Sequence, residues 1–248
     1  MINNYSITNI YEKPSRYSKL SSQMLLGEEF KILSKKRNWY KIRTNFDNYV
    51  GYVKKYKFLK KLKLSHKVYK LNTRIYIKKN NKFIKTNNFL YFASKISILD
   101  RNKDYIKFDN NKWISKKDIK DINHCEKKIS KILKLFLNTK YLWGGKSSIG
   151  IDCSALIQIF FYYNGTFFHR DTIDQAKPLI TKLKKNIYSR KQLIFWKGHV
   201  AYCLNKNELI HAYGPRKKVL IMNIKKTVKE IEKKSKLSIK GIKNLNVK

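Results

Sequence analysis

The sequence predicts two small β-barrels followed by an α+β domain, and three observations carry that expectation. Short apolar runs separated by polar turns occupy the first half of the chain, at the close spacing of small all-β domains. After Asp121 the apolar period becomes helical, and beyond Pro178 it returns to strands. Helices followed by an antiparallel sheet make an α+β domain, and 248 residues with 42% apolar content can supply its core. A chain disordered throughout is excluded.

In the first barrel, residues 1–64, the strands are Met24–Leu26, Glu29–Ser34, Trp39–Arg43 and Tyr49–Val53, with turns at Lys35–Asn38 and Asn45–Asn48. The second, residues 65–121, repeats the style with Arg74–Ile77, Ile96–Leu99, Tyr105–Phe108 and Lys112–Ile114, turning at Asn80–Asn81 and Asn110–Asn111. In the third domain, residues 122–248, Ile129, Leu133, Phe136 and Leu137 share one helical face, as do Ala155, Leu156, Ile159 and Phe160. Strands follow at Leu193–Trp196, His199–Leu204, Glu208–His211 and Val219–Met222. Val228, Ile231 and Leu237 keep a helical rhythm through the lysine-rich end, and Ser238–Ile242 forms a last strand.

The formal net charge is +41, which by itself points to phosphate-rich partners. The excess is nearly all Lys, spread along the chain beside many Asn, Ile and Tyr, the set a genome poor in G and C produces. The planar Arg fork that clamps phosphates and reads bases is scarce. No specific nucleic-acid partner is therefore expected, although the field attracts anionic polymers.

The three cysteines, Cys125, Cys153 and Cys203, form neither a CxxC pair nor a metal-ligand series, so no metal, cofactor or disulfide framework is expected. The N-terminal MINNYSITNIYEKPS lacks the basic and apolar regions of a secretory signal, and no window approaches the roughly 18 apolar residues of a membrane span. Cytoplasmic placement is the resulting expectation.

Chemistry concentrates in Tyr141–Gln158, YLWGGKSSIGIDCSALIQ. Its glycines permit tight turns before a helix that begins near Asp152, which sets Cys153 at a helix N-terminus, where backbone N–H groups and the dipole favour a thiolate. His199, in GHVAYCL, and His211, in LIHAYG, fall on neighbouring strands of a hairpin turning at Asn205–Asn207, within reach of a hydrogen bond. Cysteine, histidine and a second polar residue in that order match papain-like folds, in which the third group orients the base. Alone, each residue has a structural alternative: a buried Cys, a core His, and Asp152 as no more than the helix cap.

These segments resemble the active-site signature of the NlpC family of cell-wall cysteine peptidases, and RDTIDQ at 170–175 resembles the arginine-containing loop after its nucleophile helix. In the first half, SQMLLGEEF, WYKIRTNFDNYVGYV and SHKVY resemble the bacterial SH3-like domains that precede the catalytic domain in its dipeptidyl-peptidase subgroup. The resemblance implies a papain-like domain behind two SH3-like barrels. It also implies cleavage of the γ-D-glutamyl–diamino acid bond in wall-derived muropeptides with a free L-alanine amine. Catalysis would fall to Cys153, His199 and His211, with the Cys153 N–H as oxyanion donor. Tyr141, Trp143, Asp152 and Ser154 would line the pocket, Arg170 would meet the D-glutamate carboxylate region, and Thr172 is a substrate-binding candidate where a small hydroxyl residue is usual. Asp152 and Glu12 could supply carboxylates to the ammonium. Glu12 and Tyr49 would close the amine end. Tyr141 and Trp143 have packing, and Arg170 a structural role, as alternatives. In a cytoplasmic enzyme the products would be recycled wall peptides.

Two positions depart from the pattern: Lys191-Gln192 stands where Gly-Asp is usual, and His169 where Pro is usual. Two other functions compete. A papain-like amidase or acyltransferase would need no free amine, and a non-catalytic binder of anionic glycan or nucleic acid would leave the Cys and two His unexplained.

Overall fold

Aromatic and β-branched runs form the strands of the first half, as pleated half-buried surfaces favour. The structure, a computed structural model, describes residues 1–177 and 188–245. They divide into two compact units. The N-terminal unit comprises residues 1–125, 146–148 and 162–165, and the C-terminal unit comprises 126–145, 149–161 and the described chain from 166 onward.

In the N-terminal unit, β1 (Ile7–Tyr11), β2 (Leu20–Leu25), β3 (Phe30–Lys36), β4 (Trp39–Thr44) and β5 (Val50–Lys54) form a sheet of order β2-β1-β5-β4-β3. Inward positions build one core of Ile10, Met24, Phe30, Ile42, Val53 and Phe58. Next come β6 (His66–Val68), β7 (Asn72–Lys79), β8 (Lys82–Tyr91), β9 (Lys95–Ile96), β10 (Asp100–Arg101), β11 (Tyr105–Asp109), β12 (Lys112–Ser115) and β13 (Ile119–Asp121). They make a five-stranded sheet, β10-β11-β12-β7-β8, and a three-stranded one, β13-β6-β9. A second core gathers Val68, Ile75, Leu90, Ile106 and Ile114, and also takes in Leu26 from the first segment. The strands expected at Arg74–Ile77, Tyr105–Phe108 and Lys112–Ile114 form, whereas the Ile96–Leu99 run is divided between β9 and a link to β10.

The C-terminal unit opens with α1 (Ile129–Leu135), whose Ile129, Ile132 and Leu133 are buried. Two short strands, β14 (Lys146–Ser147) in the N-terminal unit and β15 (Gly150–Ile151) in the C-terminal one, precede the buried helix α2 (Cys153–Tyr163) and the single turn α3 (Thr172–Gln175). Then β16 (Gln192–Trp196), β17 (His199–Cys203), β18 (Glu208–Tyr213), β19 (Lys218–Asn223) and, after α4 (Ile224–Ser235), β20 (Gly241–Asn244) form an antiparallel sheet of order β19-β18-β17-β16-β20. Every residue of β16 is buried, as is all of β18 after Glu208, so these strands read as apolar runs instead of alternating.

The β17–β18 register pairs Tyr202 with Ile210 and Cys203 with Leu209. Because strand side chains alternate with period two, His199, Ala201 and Cys203 share a face with Leu209, His211 and Tyr213. The amphipathic α4 packs on that face through Ile224 and Ile231, joined by partly buried Met222 and Val228. Asn223 caps α4 by accepting from the Lys226 N–H at 3.1 Å.

Candidate active site

Asp152 starts the nucleophile helix. Its Oδ1 accepts from the Ala155 N–H at 2.8 Å, and its carbonyl accepts the first helical bond, from Leu156, at 3.0 Å. Cys153 is thus the first helical residue, and its N–H belongs to the set that has no partner inside the helix. The preceding loop needs its glycines. Gly144 has φ +72°, and a Cβ on Gly145 would collide with the Gly150 carbonyl.

The Asp152 carboxylate is fully engaged. It takes Arg170 Nη1 at 3.0 Å and Nη2 at 2.7 Å in a fork, the Gly144 N–H at 2.9 Å and the Ser154 hydroxyl at 3.1 Å. Arg170 also donates to Ser154 Oγ at 2.9 Å and is 3% exposed. Two residues expected to bind substrate, Arg170 and Asp152, therefore face each other, with Ser154 bonded to both. The N-cap alternative for Asp152 and the structural alternative for Arg170 both describe what these side chains touch. Gln175 ties α3 to the same helix by donating to the Ser154 carbonyl at 2.9 Å.

Cys153 Sγ lies 3.9 Å from the carbonyl of Gly198, the residue before His199. The Val200 N–H and the Thr172 hydroxyl bond to the sulfur. Burial, joined by the Asp152 charge, pushes the Cys153 thiol up to about 11 and outweighs the hydrogen bonds and Arg170. Burial likewise lowers His199 to about 4. Both shifts disfavour the charged form of the group concerned.

His199 Nε2 and His211 Nδ1 are 2.9 Å apart, as the hairpin register predicts. His211 is wholly buried, and burial together with the His199 charge holds it well below the ordinary imidazole range. Tyr213 stacks on the His211 ring with centroids 4.7 Å apart and planes 12° apart, and Trp196 lies 5.5 Å from the His199 ring. His211 Nε2 sits 3.4 Å from Met222 Sδ. Sequence reasoning missed Tyr213, Trp196 and Met222. Tyr213 was within reach of the period-two rule, two residues past His211, but Met222 emerges only from the β18–β19 register.

Tyr141 is half-buried, with its phenol pushed far up by burial and by the nearby Cys153 and Asp152 charges. Trp143 is 60% exposed, which sets aside its packing alternative. Glu12 and Tyr49 lie in the N-terminal unit, Glu12 just after β1 and Tyr49 just before β5, where the Tyr49 hydroxyl donates to the Ser21 carbonyl at 3.4 Å. Among the described residues, no group of three or more His, Cys, Asp or Glu gathers as a metal site, and no helix is long and apolar enough to cross a membrane.

A cysteine at the start of a buried helix, with a histidine pair on adjoining antiparallel strands, defines a papain-like fold. The chain carries an NlpC/P60 domain, the domain of a cysteine peptidase family, matched over residues 138–234. Residues 10–57 match the bacterial dipeptidyl-peptidase Sh3 domain. It is similar to dipeptidyl-peptidase 6 of Lysinibacillus sphaericus, 37% identical over 78 residues that make up 31% of this chain and 28% of that one. It is also homologous to the γ-D-glutamyl-L-lysine dipeptidyl-peptidase of Bacillus subtilis (strain 168), 24% identical across 86% of this chain and 79% of that one. The crystal structure of an NlpC/P60 family protein from Bacillus cereus ATCC 10987 shares the fold, with TM-score 0.81, 18% identity, and coverage of 100% of this chain and 99% of that one.

Proposed function

We propose that this protein is a cysteine peptidase that hydrolyses the γ-D-glutamyl–diamino acid bond of wall-derived peptides whose L-alanine amine is free. The observation that carries the reading is the His199–His211 bond of 2.9 Å beside the helix-terminal Cys153. Homology to γ-D-glutamyl-L-lysine dipeptidyl-peptidases supports the substrate class.

Because burial disfavours the charged forms of both groups, the thiol proton passes to His199 Nδ1 as sulfur attacks. The Sγ–C bond forms at the γ-carbonyl of D-glutamate, and the oxyanion is met by the Cys153 N–H. The imidazolium then gives that proton to the departing amine as the C–N bond breaks. Water, deprotonated by the same ring, releases the acyl group and restores the thiol. Tyr141, Trp143 and Thr172 border the acyl group, while Asp152, Ser154 and Arg170 hold the wall behind it. We assign residues 65–121, with their own sheets and core, to a second SH3-like barrel.

The test uses L-alanyl-γ-D-glutamyl-diamino-acid tripeptide, free or N-acetylated. Dipeptide release from the free-amine substrate alone, abolished by Cys153→Ala, is the expected result. Equal cleavage of both forms would favour an amidase without an amine pocket. No cleavage of either would overturn the assignment.

A further inference from the structure

We propose that Met222 is a positioning residue that selects the tautomer of His211 and thereby decides which nitrogen of His199 is the base. This rests on the cysteine-peptidase reading for its consequence, though not for its geometry.

A thioether sulfur accepts hydrogen bonds weakly and donates none. Met222 Sδ stands 3.4 Å from His211 Nε2, so that contact is a hydrogen bond only if Nε2 carries the proton. A neutral imidazole has one proton, and His211 is wholly buried among apolar side chains that disfavour the charged form. With the proton on Nε2, His211 Nδ1 presents a lone pair. The group 2.9 Å away, His199 Nε2, must then be the donor. His199 is left with its lone pair on Nδ1, the nitrogen required to take the thiol proton. The opposite tautomer of His211 would donate from Nδ1 to His199 Nε2, protonate His199 Nδ1 and disable the base. One acceptor atom thus sets the polarity of a two-histidine relay.

The placement follows from the sheet. Met222 pairs with Leu209 across β18–β19, and Leu220 pairs with His211, so Met222 lies on the His211 face two residues along β19. Stacking on Tyr213 fixes the plane of the ring without offering a polar atom.

The experiment is nitrogen-15 spectroscopy of histidine-labelled protein at neutral pH, with kinetics on the tripeptide. Wild type should show protonated Nε2 and bare Nδ1 for both residues. Met222→Leu keeps bulk but removes the acceptor, and it should admit the Nδ1–H form of His211 and lower kcat about fivefold with KM unchanged. Met222→Gln, whose carbonyl oxygen accepts, should restore both the tautomer and most of kcat. A wild-type His211 protonated on Nδ1 overturns the proposal even if neither variant folds. So does a Leu variant with unchanged tautomers and kcat, or a Gln variant no better than Leu. If wild type shows the expected tautomers but cuts no tripeptide, the substrate reading fails and the tautomer assignment stands.

Discussion

Arg170 in the C-terminal unit and Lys146 in the N-terminal unit are both buried cations on a carboxylate, yet the two pairs are built differently. Asp152 receives five donors: the two of the Arg170 fork, two backbone N–H groups and the Ser154 hydroxyl. Glu28 receives Lys146 Nζ on both oxygens, at 3.0 and 3.1 Å, and one backbone N–H, from Leu25, at 3.2 Å. Burial therefore pushes the Glu28 carboxyl up in spite of the Lys146 charge beside it. Lys146 also lies 4.3 Å from the centroid of the Tyr162 ring. The difference shows what a buried charge requires. A planar fork with capping N–H groups supplies directed donors to every lone pair, whereas one ammonium leaves desolvation partly uncompensated.

The largest break in that comparison is Arg170→Met, which strands the Asp152 charge at the helix start. It should cost about 3–5 kcal/mol in urea unfolding. A loss near zero would mean the fork contributes little beyond what the caps provide.

Lys146→Met should cost less, because Glu28 can take up a proton instead. In the variant the folded carboxyl rises further above its ordinary value, so between that value and the raised one the folded state binds more protons than the unfolded state. Stability then falls as pH rises through the window. The variant should lie closest to wild type near pH 5 and furthest at pH 8, and a penalty independent of pH would remove the contrast with Asp152.

The histidine pair should tilt stability the other way. His199, held at about 4, and His211, held well below its ordinary 6.5, bind fewer protons folded than unfolded between those limits. Their contribution is complete above pH 6.5 and is lost as pH falls toward 4. His211→Asn should flatten thermal-melt stability against pH by up to about 1.4 kcal/mol per pH unit in that window. The smallest effect is expected on the surface. Lys234→Met removes an exposed partner of Glu230 four residues away on α4 and should change unfolding by about 0.3–0.5 kcal/mol.

The sequence was most legible where one local rule decides the outcome. Asp152 before an apolar run announced the cap, and the Asn205–Asn207 turn announced the hairpin that joins the two histidines. It was least legible at β1, β6, β8 and β13, none of which was among the expected strands. The ten residues of β8 include Asn87 and Asn88, which sit where the register against β7 shifts. Burial opposes the thiolate expectation for a related reason. A helix terminus is a local feature, while the desolvation that outweighs it comes from everything packed around the sulfur.

By itself, the chain order determined the chemistry-bearing set: a cysteine at a helix start and two histidines on paired strands, because those positions follow from caps, turns and strand period. Tertiary structure alone decided how these groups are charged and aimed. Which carboxylate Arg170 would meet, whether the thiol would ionise, and that Met222 Sδ would stand at His211 Nε2 depend on burial and on register between β18 and β19. Electrostatic energy in a low-dielectric interior is set by neighbours distant in sequence, which local pattern does not encode.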